Sequence, residues 1–261
     1  VVVRVVVVGA GAVGQSYAAA AARGGAEVAF RVRRPTGPVG RFTAYRLGRG
    51  RPERSSFEAP LLGTDAAVAA YRPDVLLLTV PSDALRAPGW LPPLLGAAPD
   101  ALVIALEPTP EDAEVVRAAR PGVRLARGMI ALVAYHAPLP GEEVRFPAPG
   151  VAVWAPVRCP FAGPPDARPD LEAFAAALRR GGLRTRVVEE LDSTSAFGSI
   201  ALATWITALR AAGWRFGALA ETAALGRAAV REGTAVVAAR LGAPPPWWTA
   251  ALGDPGRQGD R

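Results

Sequence analysis

The chain has 261 residues, 51% of them hydrophobic and 20% charged, so it can bury one large core or two smaller ones. One cysteine, Cys159, excludes an internal disulfide and fits a reducing, cytoplasmic setting; with a single histidine, His136, no metal site of the His/Cys kind is expected. The net charge is +7 and every one of the 30 basic residues is arginine, scattered apart from short pairs such as Arg33–Arg34 and Arg179–Arg180, so no nucleic-acid partner is expected. No apolar run is long and uninterrupted enough to predict a membrane span.

Residues 1–8, VVVRVVVV, read as a buried parallel strand. Residues 12–23, AVGQSYAAAAAR, read as a helix that stops at Gly24–Gly25. Between them stands GAGAVG, and its glycine spacing explains the apolar start better than a secretory leader does. Gly9 permits a tight turn, Gly11 lets backbone approach a pyrophosphate, and Gly14 lets helix pack near strand. The helix start at Ala12, Val13 and Gly14 would face phosphates with free N–H groups and a positive dipole end. A second strand, AEVAFRVRR (26–34), completes a βαβ unit. An NAD site would usually end that strand in a carboxylate for the ribose 2′-OH. Here it ends in Arg33 and Arg34, and guanidinium suits a 2′-phosphate, so NADP is the expected cofactor.

Further strands are predicted at DVLLLTV (74–80), ALVIAL (101–106), VRLAR (123–127), VAVWAP (151–156) and RTRVVEE (184–190). Helices are predicted near 83–87, 110–119 and 169–181, which together give a doubly wound α/β domain over 1–190. Residues 192–241 show no strand pattern and read as two long helices, each ended by glycine. PPPWW (244–248) breaks the chain before a short final helix and a polar tail, so 191–261 is read as an all-helical domain.

Taken in order, GAGAVG, RVRRP, LLLTVPS, VIALEP, the GM–PG–GVAVWAP region and the C-terminal VAARLGAPPP resemble the ketopantoate reductase (2-dehydropantoate 2-reductase) family over most of the chain. The resemblance implies NADPH in a cleft between a Rossmann domain and a helical domain, delivering hydride to a 2-keto acid. It also places Val80 and Pro81 at the cofactor.

The catalytic positions depart from the family pattern. The family's TVK is TVPS here, with Pro81 at the lysine, and its Asn-Gly after the next strand is Glu107–Pro108. The family's helical domain opens with W-x-K-x-x-x-N-x-x-x-N. Aligning Phe197 with the Trp puts Ser199 at the lysine, Ala203 at the first Asn and Thr207 at the second, still on one helical face. No lysine exists to be moved into register. Hydride transfer to a ketone needs a proton for the oxygen, and arginine is too weak an acid to replace lysine readily. Glu107, Ser199, Thr207 and His136 are therefore the candidate catalytic groups. The expected function is NADPH-dependent reduction of a carbonyl or imine other than ketopantoate, with a small-molecule substrate larger and less charged than ketopantoate and a homodimer as a candidate assembly. The competing expectation is a cyclase, isomerase or cofactor-binding regulator on the same fold.

Overall fold

In the computed structural model, which describes residues 2–106, 110–246 and 249, the opening valines form β1 (Arg4–Val8). Their alternation decides what surrounds them. Val5 and Val7 face α1 (Ala12–Arg23) and α6 (Arg168–Arg180), packing with Tyr17, Ala18, Phe174 and Leu178. Val6 and Val8 face the other way, toward α2 (Asp65–Tyr71), α4 (Leu91–Ala97) and α5 (Pro110–Ala119), packing with Val68, Leu94, Leu95 and Val116. A strand covered on both faces must be apolar at every position, which is why β1 shows no polar alternation.

The other strands are β2 (Glu27–Arg31), β3 (Val39–Arg46), β4 (Glu53–Leu62), β5 (Val75–Leu78), β6 (Leu102–Leu106), β7 (Leu125–Gly128), β8 (Val133–Ala137), β9 (Gly150–Trp154), β10 (Cys159–Ala162) and β11 (Thr185–Val187). The sheet order is β11-β10-β7-β6-β5-β1-β2-β4-β3-β9-β8. From β7 through β4 neighbouring strands are parallel. The chain leaves β1 toward β2 and later returns to its other side as β5. The carboxyl ends of β1 and β5 therefore flank the point where the winding reverses, the usual ligand crevice of open α/β sheets.

The predicted strand at 26–34 ends at Arg31 as a strand, although the Val32 amide still donates to Leu62 (3.1 Å). Pro35 then has no N–H with which to extend the ladder. The strand predicted at 74–80 closes at Leu78, and Thr79 adds one more backbone bond to Val8 (3.1 Å).

Elements absent from the sequence-based expectation are β3, β4, β8, β10, α2 and α4. β3 and β4 form an antiparallel hairpin in which Arg41 faces Glu58, Phe42 faces Phe57 and Arg46 faces Glu53. The two rings stack at 5.3 Å, and cross-strand pairs of this kind are the unit of sheet stability. α4 opens on two prolines, which read as a break yet are tolerated in a first helical turn, where amides have no partner.

α1 and α6 touch through glycines. A Cβ on Gly24 would lie 1.8 Å from the Ala177 oxygen, and one on Gly181 would lie 1.7 Å from the Ala20 oxygen. The Arg180 Nε donates to the Gly24 carbonyl across this contact (2.9 Å).

The chain divides into two units, Val1–Leu191 and Asp192–Arg261. The second is built from α7 (Asp192–Ala211) and α8 (Leu219–Leu241). Gly226 and Gly233 of α8 lie against Trp205 and Ile200 of α7, so small residues set the spacing of the pair. Among the described residues no helix is long and apolar enough to cross a membrane. The predicted final helix, with Trp247 and Trp248, lies outside the described residues apart from Thr249.

Cys159 is fully buried beside Tyr17, and burial pushes its thiol pKa up. A raised pKa and no access both suppress the thiolate. A colorimetric thiol reagent should therefore react with native protein about 10²-fold or more slowly than with protein unfolded in guanidinium. Fast native reaction would show that the β10–α1 contact opens readily.

Candidate functional site

The three glycines after β1 have three different physical reasons. Gly9 has φ +105°, a region side chains rarely adopt, and its amide donates to the Arg31 carbonyl (3.2 Å). A Cβ at Gly14 would lie 2.2 Å from the Gly9 oxygen and 2.7 Å from the Thr79 Oγ1, so the first turn of α1 reaches the strand end only because residue 14 has no side chain. A Cβ at Gly11 would meet nothing within 4 Å. That side of the loop is open and can receive a ligand at backbone distance.

Gly11 caps α1, and Ala12 and Val13 start it, both half-buried. The first-turn amides of a helix lack intrahelical partners, and no acidic residue occupies this turn to offset its positive dipole end. The Gln15 Nε2 donates to the Ala10 carbonyl and the Ser16 hydroxyl to the Ala12 carbonyl, each at 2.7 Å, which holds the loop shape without using those amides.

The loop after β5 completes this region. The Thr79 hydroxyl lies 3.0 Å from the Val8 carbonyl and 3.1 Å from that of Gly9, and can donate to either. Val80 lies over Gly9, and Pro81 caps α3 (Ser82–Leu85). Asp112 of α5 anchors α3 from below, and sequence reasoning missed it. Its carboxylate is fully buried, accepts from the Ser82 hydroxyl (2.7 Å) and pairs with Arg86. The only sequence trace of this link is an acidic first turn on α5 and a serine opening SDAL.

At the end of β2 a further arginine matters that the sequence reading passed over. Arg31 donates through Nε and Nη2 to Asp65 (3.1 and 3.0 Å) and through Nη1 to the Val32 carbonyl (2.7 Å). The nearby carboxylate is thereby occupied. Arg33 and Arg34 are exposed, and neither has an ion pair among the described residues.

The remaining candidates are not gathered at this loop by any described contact. His136 is exposed on β8, the edge strand, opposite Val151. Ser199 is half-buried on α7. Thr207 is exposed, and its hydroxyl already donates to the Ala203 carbonyl (2.8 Å), an ordinary intrahelical use of threonine. Glu107 and Pro108 lie outside the described residues. Among those described, no group of three His, Cys, Asp or Glu side chains comes together as a metal site would need.

Comparison with protein-family models finds no match, and comparison with curated proteins finds none. Solved structures do match. A 2-dehydropantoate 2-reductase from Methylococcus capsulatus is 21% identical with TM-score 0.66, over 97% of this chain and 80% of that one. The enzyme of that name from Porphyromonas gingivalis W83 is 17% identical with TM-score 0.65, over 97% and 87%. D-Mandelate dehydrogenase, solved with NADH and anilino(oxo)acetate, is 14% identical with TM-score 0.64, over 96% and 79%. At such identities the likeness establishes the fold: an N-terminal Rossmann-type sheet followed by helices, as in these reductases and dehydrogenases.

Asp112→Ala should destabilise the protein by about 1–3 kcal/mol in urea unfolding, the range for charged hydrogen bonds, because half-exposed Arg86 can recover water. An unchanged midpoint would show that α3 is held without Asp112.

Proposed function

We propose that the chain binds NADP at the Gly9–Gly14 loop and reduces a carbonyl or imine substrate other than ketopantoate. The observation that carries this reading is the open face of Gly11 beside an uncompensated helix start, at the point where the sheet reverses its winding. The fit is specific: residues 9 and 14 are filled by the protein's own atoms, and residue 11 is not. Gly9, Gly11, Ala12, Val13 and Gly14 would hold the pyrophosphate, with Val80 and Pro81 on the adjacent strand end. Free Arg33 and Arg34, with Asp65 neutralised by Arg31, suit a 2′-phosphate better than a bare ribose. The fold itself leaves this choice open, since the related D-mandelate dehydrogenase structure carries NADH.

A bound reduced nicotinamide supplies hydride, and the chain or water must supply the proton. The sequence contains neither lysine nor asparagine at any position. No other register can therefore restore the Lys–Asn–Asn set that the family resemblance would require. Glu107 is the first candidate donor, because it directly follows β6 in the chain and a carboxyl can be tuned toward neutral pH. Ser199, Thr207 and His136 follow. The loss of the whole family set also supports a second reading, a non-redox enzyme or cofactor-dependent regulator on the same fold.

NADPH should bind about tenfold or more tightly than NADH in fluorescence titrations, with the difference lost in the Arg33→Ala/Arg34→Ala pair. Gly11→Val should abolish binding of both without lowering the melting temperature. Equal affinities would remove the NADP assignment, and intact binding in Gly11→Val would remove the loop from it.

Ketopantoate should be turned over at least about 10²–10⁴-fold more slowly than by an ordinary enzyme working at roughly 1–10³ s⁻¹, because both the acid and the positioning groups are missing. Ordinary turnover, monitored as NADPH oxidation, would refute the reading.

A further inference from the structure

The first unit carries a concavity at the end of the sheet opposite the glycine loop. Leu61 and Leu62 of β4 pair with Phe30 and Arg31 at the carboxyl end of β2. Glu53, which opens β4, lies eight residues back along the strand, or roughly 27 Å from the glycine-loop end. An open cleft of about 810 Å³ lies here, between the β3–β4 turn, the end of β9 and the segment after α6. That volume is in the range of small-molecule sites.

Its lining is chemically one-sided. Arg46, Arg49, Arg51 and Arg184 face one carboxylate, Glu53. That carboxylate is already taken: it accepts from Arg46 and from Arg23 (2.6 Å), and these bonds, Arg46 first, hold its pKa below the usual range. Arg46 lies over Gly182, whose φ of +89° suits glycine and whose missing side chain leaves the guanidinium room. Arg184 is pinned by donating to the carbonyls of Ala155 (3.1 Å) and Pro156. Arg49 and Arg51 stand exposed in the turn with no ion pair among the described residues. Two guanidiniums are thus fixed at the wall and two are unneutralised at the rim. Trp154, at the end of β9 and 50% exposed, supplies a flat aromatic surface beside them.

We propose that this cleft binds a nucleoside diphosphate, with the diphosphate among Arg49, Arg51 and Arg184 and the base stacked on Trp154. Guanidinium groups recognise phosphate oxygens bidentately, and indole stacks on any base. The site is separate from the glycine loop and does not depend on the function proposed for it.

The test is calorimetric titration of the full chain and of its Gly11→Val variant with ADP. Binding should persist in Gly11→Val. Arg49→Ser/Arg51→Ser should raise Kd about tenfold or more, and Trp154→Leu about fivefold or more. Inorganic pyrophosphate should respond to the arginine pair and ignore Trp154→Leu. Circular dichroism checks that these surface variants stay folded. ADP binding that Gly11→Val removes, and that the arginine pair leaves unchanged, would place ADP at the glycine loop and overturn the proposal. Pyrophosphate binding as tightly as ADP would overturn the base site. Failure of NADP to bind would refute only the reading of the glycine loop, since the arginine variants report on the cleft directly.

Discussion

The first turn of α1 can lie against the end of β1 only while residue 14 has no side chain. With a Cβ there, the Gly9 carbonyl and the Thr79 hydroxyl would both have to move. Those two groups are tied to each other and to Val8, so the displacement would pass into β5 as well as β1. From this contact follow the direction of α1, the accessibility of its first amides and the open side of Gly11. The far end of the same helix is fixed by Gly24 and Gly181 in the same way, backbone against backbone. Alanines between these ends let α1 sit close to the sheet along its whole length.

Arginine does all the cationic work in this chain, and its settings divide into two kinds. Where the structure needs a fixed point, a guanidinium is paired: Arg31 with Asp65 at the end of β2, Arg86 with Asp112 under α3, Arg41 with Glu58 across the hairpin. The exposed pair on the hairpin adds little stability, whereas the two that reach half-buried or buried carboxylates order the loops around the candidate site. Arg33, Arg34, Arg49 and Arg51 have no such pairing among the described residues. Arg33 and Arg34 follow the carboxyl end of β2, whereas Arg49 and Arg51 line the cleft at the opposite end of the sheet. A guanidinium remains charged throughout the ordinary pH range, so these positions favour anions without offering a proton.

The helical unit contrasts with the first. Its interface uses glycine against Ile200 and Trp205, while the face of Ser199, Ala203 and Thr207 carries hydroxyls and a methyl rather than an ammonium and amides. Thr207 turns its hydroxyl back on its own helix. Leu202 and Ile206, exposed on α7 nearby, make that side of the helix more apolar still.

Much of this was legible in the sequence because it rests on local rules. Continuous valine, then GAGAVG, then alanine fixed β1, the loop and α1. The buried runs VLLL and LVIAL marked β5 and β6, and the absence of alternation after Leu191 marked the helices. The β3–β4 hairpin escaped because its evidence lies in pairs: Arg41 with Glu58, Phe42 with Phe57 and Arg46 with Glu53 become a signal only once the turn between them is assumed. Asp112 and the Arg31–Asp65 pair escaped for the same reason, since the partners sit 26 to 34 residues away and no local pattern records them. The arginine cleft draws on three separated segments. What the sequence determined alone is the chemistry available, a chain with a glycine-spaced loop after its first strand and many guanidiniums but no lysine or asparagine. What only the tertiary structure decided is which of those guanidiniums are neutralised and which remain free, because that depends on distances between elements that chain order does not encode.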